Sequence, residues 1–435
     1  MAKSHSKPSA LSAMGRRTAP PPISWLMRVK LERPRLISLA AGFTDNATLP
    51  VAGSRRLLNE LLGDAALGQA ALQYGSTAGD ATLRQLTAKR LRQLDGDRRG
   101  QAASYEAKRT VITHGSQQFL YMATETLCDP GDIVLVEDPT YFVYLGIMQS
   151  RGVAGLGVRM NRDGIDLGHL EQVLESLKRD GSLSRLKILY LVSYYQNPTG
   201  RSTRLRVKAG ALELLRRYER AAGHPIYLME DAAYRELGFA GEPAPSALAL
   251  KGAADRVIYS GTYSKPFATG VRVGFGVLPE ELVSPVLRIK GNHDFGTSHL
   301  TQQLVVRALQ SGLYEQNLDK VQRRYRAKAK AMTDAIAEHF PATVRWEPPE
   351  GGLNVWAALP RKVNTGMKSR FFKQVLERNV LYVPGGLCYV DDPARAKPGY
   401  EMRLSFGAAS EADIREGIRR LGQAIGLAGR PSLRE

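Results

Sequence analysis

Ile188-Leu189-Tyr190-Leu191-Val192, a helical pattern over 204–222, and then Ile226-Tyr227-Leu228-Met229-Glu230 follow one another in the middle of the chain. Both apolar runs lack alternation, as expected of strands covered on both faces by helices. A helix joining two such strands is a crossover unit of a parallel sheet. Working outward, the same alternation holds from about residue 55 to 310. Further strands are predicted at 111–113, 133–137, 257–260 and 272–277, and helices at 117–127 and 280–290. The turn signals Asp129-Pro130-Gly131-Asp132 and Asn197-Pro198-Thr199-Gly200 separate these elements. The fold class is therefore α/β, a three-layer α/β/α unit with a mostly parallel sheet. After a long basic helix over 313–340 the pattern changes to short strands at 344–347, 352–359, 381–383 and 401–406, closed by a helix over 411–427. That change predicts a smaller α+β domain. The expected organisation is a mostly disordered arm over 1–32, a segment over 33–54 packing with the small domain, a large domain over 55–312 and a small domain over 313–435.

A chain of 435 residues exceeds what one ordinary core fills, in keeping with two domains. No stretch approaches the roughly 20 apolar residues of a membrane span, so no membrane partner is expected. Cys128 and Cys388 lie far apart without CxxC or Cys/His spacing, which excludes a disulfide framework and a metal site of that kind and points to a reducing, cytoplasmic setting. The 61 basic residues against 42 acidic ones give a net charge of +19. They are dispersed along helices, as over 204–217 and 323–330, with no aromatic interleaving or nucleic-acid motif. A solvated basic surface, not a nucleic-acid partner, is the reading. Residues 1–31 hold no Asp or Glu and lack the apolar core of a secretory signal. Pro20, Pro21 and Pro22 would interrupt the helix of a transit peptide, so the arm is expected to become ordered only near Trp25.

Four stretches carry chemistry. Ser260-Gly261-Thr262-Tyr263-Ser264-Lys265, followed by Gly270-Val271-Arg272-Val273-Gly274, sets a lysine after a strand, flanked by hydroxyls, with an arginine seven residues on. That suits a phosphate-bearing ligand attached to the amine, although any single lysine is more often a surface charge. Thr113-His114-Gly115-Ser116-Gln117-Gln118 places a glycine turn where a helix opens, and helix N-termini bind phosphate; the plainer alternative is a turn capped by Ser116. Met229-Glu230-Asp231-Ala232-Ala233-Tyr234 puts a carboxylate at the strand end where ligands of open α/β sheets sit, or else a helix cap. Asn197-Pro198-Thr199-Gly200 alone would be an ordinary β-turn.

Together, and in this order, these stretches resemble the class I/II aminotransferases of pyridoxal-phosphate fold type I, above all the branch with aminoadipate and kynurenine aminotransferases and the effector domains of MocR-type regulators. The likeness covers roughly 33–428 and includes Arg403 in Met402-Arg403-Leu404-Ser405-Phe406. It implies an aminotransferase holding pyridoxal 5'-phosphate on Lys265 as a Schiff base, with the freed lysine acting as base on the substrate Cα. By the same resemblance Asp231 pairs with the pyridine nitrogen, Tyr234 and Asn197 hydrogen-bond the phenolic oxygen, and Tyr141, in Asp138-Pro139-Thr140-Tyr141, stacks on the ring. Gly115, Ser116, Gln117, Thr262, Ser264 and Arg272 hold the phosphate. Tyr74, in Gln73-Tyr74-Gly75, reaches the phosphate of a second subunit, which implies a homodimer. Arg403 clamps the α-carboxylate of the amino-acid or 2-oxo-acid substrate, with Gly42 and Asn197 beside it.

The chain departs from its relatives at Ala40-Ala41-Gly42-Phe43-Thr44, where they read Ala-Gly-Gly-Leu-Pro, so the wall facing the substrate side chain is altered. Arg33 falls where some relatives carry an arginine for an acidic side chain. Two other readings use the same residues: a lyase or amino-acid oxidase with the same cofactor, and a non-catalytic ligand-binding domain of the MocR type. The second expects an N-terminal winged helix, and the short, proline-rich arm does not read as one.

Overall fold

The computed structural model describes residues 10–96, 102–241, 244–392 and 395–429. Its strands in chain order are β1 Ile37–Ser38, β2 Thr110–Thr113, β3 Ile133–Asp138, β4 Ala154–Asn161, β5 Gly164–Ile165, β6 Leu186–Val192 and β7 Tyr227–Asp231. They continue with β8 Val257–Thr262, β9 Gly274–Val277, β10 Arg345–Trp346, β11 Asn354–Ala358, β12 Val380–Leu381, β13 Val383–Pro384 and β14 Glu401–Ser405. Eight form one sheet in the order β2-β9-β8-β7-β6-β3-β4-β5. Its centre, β8-β7-β6-β3-β4, is parallel throughout, while β9 runs antiparallel to both neighbours.

The continuous apolar runs are buried as their composition demands. Every residue of β3, β7 and β8 is buried, and in β6 only Lys187 is partly exposed. The helix Leu205–Ala222 links β6 to β7 and ends at Gly223, whose φ of +81° suits a residue without a Cβ. Lys208 of that helix reaches the fully buried Glu230 of β7 at 2.6 Å, a charge pair inside the core that apolar patterning does not reveal.

The large sheet departs from the sequence reading at β9 and at β4. Residues 272–273 are not strand: Arg272 has φ +51° and follows a 3-10 turn, so β9 begins at Gly274. Strand β4, partly exposed and carrying Gly155, Gly157 and Arg159, escaped the sequence reading because it lies towards the sheet edge and lacks a continuous apolar run.

The N-terminal arm differs most. Residues 1–9 lie outside the described residues, but Ala13–Arg17 and Pro22–Glu32 are helical where a mostly disordered arm is expected. The prolines begin a helix instead of breaking one: Pro22 occupies its first turn, where a missing N–H costs nothing. Arg17 Nε donates to Ser150 O at 2.6 Å, and the Ala19 N–H donates to Gln149 Oε1 at 3.2 Å, tying the arm to the helix Phe142–Arg151.

Strands β10-β11-β14-β13 form a second, antiparallel sheet in that order. Strand β1 pairs in parallel with β12, so the segment near residue 37 is tied to the C-terminal part of the chain. The helix Leu313–His339 packs against the closing helix Glu411–Gly429. Cys128 and Cys388 are buried and unpaired. Among the described residues no helix is long and apolar enough to cross a membrane.

Candidate active site

The C-terminal ends of β7 and β8, the loop after β6 and the start of the helix Gly115–Leu127 surround a cavity of about 260 Å³. Every residue predicted to touch the cofactor lines it except Tyr74, and Gly42 and Arg403 line it as well.

Asp231, the last residue of β7, lies at its floor. Its Oδ2 accepts from the Tyr190 hydroxyl at 2.8 Å and its Oδ1 from the Ala233 N–H at 3.1 Å. Burial pushes this carboxyl up to about 6, and the two donors oppose that shift. Tyr234, three residues on, is buried, which raises its phenol. Lys265 follows β8 and donates from Nζ to Gly42 O at 2.7 Å. Burial first, then the positive charges of Arg403 and Arg272, lower its ammonium to about 8. Near neutral pH an appreciable share of this amine is therefore uncharged and nucleophilic.

At one end the chain builds an anion cup. The first N–H groups of a helix have no partner within it and carry its positive dipole end. The helix opens at Gly115, with His114 before it, and Gln118 Oε1 accepts from the His114 N–H at 2.8 Å. Ser116 is therefore within the first turn and not the cap. Gly274 passes so close that a Cβ there would lie 2.4 Å from the carbonyl carbon of Gly115 and from Ser116 N. Arg272 faces the same glycine, its Nη2 lying 2.7 Å from where a Gly115 Cβ would stand. Its left-handed backbone is uncommon for a residue with a side chain and occurs where a site requires it. The Ser264 N–H donates to Thr262 Oγ1 at 3.0 Å, while Ser264 Oγ is buried without a partner.

Arg403 of β14 occupies another wall. Nη1 donates to Asn197 Oδ1 at 2.8 Å and Nη2 to Ala40 O at 2.5 Å, and its guanidinium carbon stands 5.6 Å from the centre of the Phe142 ring. Its Nε is buried with no partner. A buried fork with an unmatched donor is suited to a carboxylate. Tyr141, at the N-cap of the helix Phe142–Arg151, also lines the cavity.

Tyr74 lies elsewhere. It is 81% exposed and meets Phe295 edge-on, ring centres 5.2 Å apart. Arg33 donates to Leu376 O at 3.5 Å and does not line the cavity. Ile23, Phe142 and Val143 do line it and were not singled out from the sequence. Ile23 belongs to the arm read as disordered, and the other two follow Tyr141 in an apolar helix with no polar signature. Tyr190 was also missed, since a phenol within the strand Leu186–Val192 reads as core.

Comparison with known proteins agrees with this geometry. Residues 34–421 match the family model for aminotransferase class I and II. The chain is 34% identical to the 2-aminoadipate transaminase of Thermus thermophilus, over 91% of each chain. Its fold matches the Pyrococcus horikoshii kynurenine aminotransferase, solved in complex with PMP, at a TM-score of 0.86 and 29% identity, covering 97% of this chain and 98% of that one. It likewise matches LysN, the α-aminoadipate aminotransferase of Thermus thermophilus complexed with N-(5'-phosphopyridoxyl)-L-leucine, at a TM-score of 0.81 and 31% identity, covering 96% and 98%. A family match across most of the chain, carried on a fold whose strand ends gather a lysine, a carboxylate, an anion cup and an arginine fork, establishes that this protein belongs to the class I and II aminotransferases.

Proposed function

We propose that this chain binds pyridoxal 5'-phosphate and moves an amino group between an α-amino acid and a 2-oxo acid. The observation that carries the reading is a single cavity holding Lys265, Asp231, Arg272 and Arg403. The residues fit the cofactor. The unpartnered Ser264 hydroxyl, with Arg272 and the open helix start at Gly115, suits a phosphate, and the unpartnered Nε of Arg403 suits a substrate carboxylate.

When bound, pyridoxal phosphate supplies an electron sink for the charge left at the substrate Cα. Gly115, Ser116, Gln117, Thr262, Ser264 and Arg272 would hold its phosphate, Asp231 would keep its pyridine nitrogen protonated, Asn197 and Tyr234 would serve its phenolic oxygen, and Tyr141 would pack on its ring. Lys265 would hold it covalently. As a free amine Lys265 Nζ would take the Cα proton, a task its lowered basicity suits. Arg403 binds the α-carboxylate of amino acid and oxo acid alike, beside Gly42 and Asn197. To the same proposal belong a large domain over 55–312, a small one over 313–435 tied to the segment 33–54, a cytoplasmic setting, and a homodimer in which Tyr74 serves the neighbouring site. The pairing of β1 with β12, the buried free cysteines and the exposure of Tyr74 support these points.

Borohydride reduction followed by peptide mapping is expected to find the cofactor on Lys265, and Lys265→Ala to lose both adduct and turnover with the fold retained. An adduct on another lysine would overturn the assignment. A panel of amino donors with 2-oxoglutarate or pyruvate is expected to yield the new amino acid stoichiometrically. Release of ammonia or peroxide instead would make the chain a lyase or an oxidase.

A further inference from the structure

We propose that Tyr190 is a positioning residue that keeps Asp231 ionised and correctly turned, acting through one buried hydrogen bond from the sheet. The inference rests on the proposed role of Asp231 towards the pyridine nitrogen.

The geometry begins with register. Val192 of β6 pairs with Asp231 of β7, so Tyr190, two residues back on the same face, is a diagonal neighbour of Asp231. Its hydroxyl donates to Asp231 Oδ2 at 2.8 Å, and the whole residue is buried. The ring cannot swing away. It is stacked on Tyr144 with centres 3.8 Å apart and planes 19° from parallel, and the Tyr144 hydroxyl is in turn bonded to Thr124 Oγ1 at 3.0 Å.

Electrostatics make that one donor matter. The titratable groups that act on Asp231 are Glu230 before it on β7, Glu137 from β3, Tyr234 after β7, Tyr190 from β6, and Tyr141 and Tyr144 from the helix Phe142–Arg151 and its cap. The cations Lys265, Arg272 and Arg403 line the same cavity, but the Asp231 carboxylate is hydrogen-bonded to none of them. The two hydrogen bonds to the carboxylate, from the Tyr190 hydroxyl and the Ala233 N–H, favour its negative form against burial and the like charge of Glu230. A buried carboxylate with so little support is easily neutralised, and a neutral Asp231 could not hold the pyridine nitrogen protonated.

Tyr190→Phe keeps the ring and its stack while removing only the hydroxyl. In the holoenzyme we expect kcat to fall about tenfold or more at neutral pH, with the acid limb of its pH profile moved up by about one pH unit. KM for the amino donor should stay within about twofold, because Arg403 is untouched. A second readout needs no cofactor. In the cofactor-free protein the variant's Tm deficit should grow from pH 4 to pH 8, as Asp231 ionises, and should lose that pH dependence in an Asp231→Asn background. Tyr227→Phe, which breaks a phenol–carboxylate bond to Glu281 at the far end of β7, is expected to show no such coupling. A Tm deficit equal at every pH, or one unaltered by Asp231→Asn, would overturn the proposal. Should the cofactor-free protein show the coupling while the holoenzyme shows no transaminase activity, Tyr190 still governs Asp231 and the functional reading alone fails.

Discussion

Arg403 shows how one residue joins the carboxylate site to the rest of the fold: two of its nitrogens are fixed by Asn197 and Ala40, leaving Nε unmatched. Hydrogen bonds to charged groups contribute about 1.5–3 kcal/mol each. Arg403→Ala is therefore expected to lower kcat/KM on the order of a hundredfold or more for every amino and oxo acid, with cofactor affinity nearly unchanged. A loss below about threefold, or confined to one donor, would move the clamp elsewhere. Asp231 gives a prediction with a definite sign. Its carboxyl is held near 6 in the folded chain, above the ordinary value near 4, so the fold disfavours the charged form. The resulting cost is absent below about pH 4 and complete above about pH 6. In the cofactor-free protein Asp231→Asn should raise Tm at pH 7–8 and leave it unchanged near pH 4, while abolishing most of kcat in the holoenzyme. Thermal scans across that range check the sign, and a gain independent of pH would show that relief of buried charge is not its origin.

At the scale of elements, the anion cup depends on how closely β9 approaches the helix Gly115–Leu127. A Cβ on Gly274 would stand 2.4 Å from backbone atoms of Gly115 and Ser116, which no rotamer change relieves. Gly274→Ala is expected to destabilise the protein by about 1–3 kcal/mol and to weaken cofactor binding at least tenfold, because it separates strand from helix start. Gly426→Ala, in the helix Glu411–Gly429 with open space around the added methyl, is expected to stabilise by up to about 1 kcal/mol with no effect on the cofactor. Chemical denaturation and cofactor titration of the pair distinguish close approach from helix propensity. Equal effects at both positions would remove the argument for the cup.

For the whole molecule, the telling feature is the surface around Tyr74, where Tyr74, Phe295 and Leu72 are 81%, 56% and 69% exposed. Clustered exposed apolar side chains mark interaction surfaces. Sedimentation velocity is expected to give the mass of two chains. Tyr74→Phe should keep that mass while weakening cofactor affinity about tenfold through loss of one hydrogen bond to the phosphate. A monomer with undiminished cofactor affinity would place Tyr74 outside any site.

The parallel core and the chemical cast are written in local patterns of residues. Strands such as Ile133–Asp138 open on continuous apolar runs, here Ile133 to Val136, because helices cover both faces, and turns such as Asn197-Pro198-Thr199-Gly200 carry their own conformational signature. Lys265, Asp231, Arg272 and Arg403 were legible only as a set: each alone reads as a surface charge, a helix cap or a strand arginine, and their motifs in order carry the resemblance that gives them roles. Only the tertiary structure decided what depends on residues distant in the chain. The register of β6 on β7 brings Tyr190 beneath Asp231, and the docking of the arm on the helix Phe142–Arg151 accompanies Ile23 at the cavity wall. Local pattern records whether a side chain is buried, but not which partner it meets there. Tyr190 and Ile23 therefore read as core strand and loose arm until the sheet register and the packing of the helices set their neighbours.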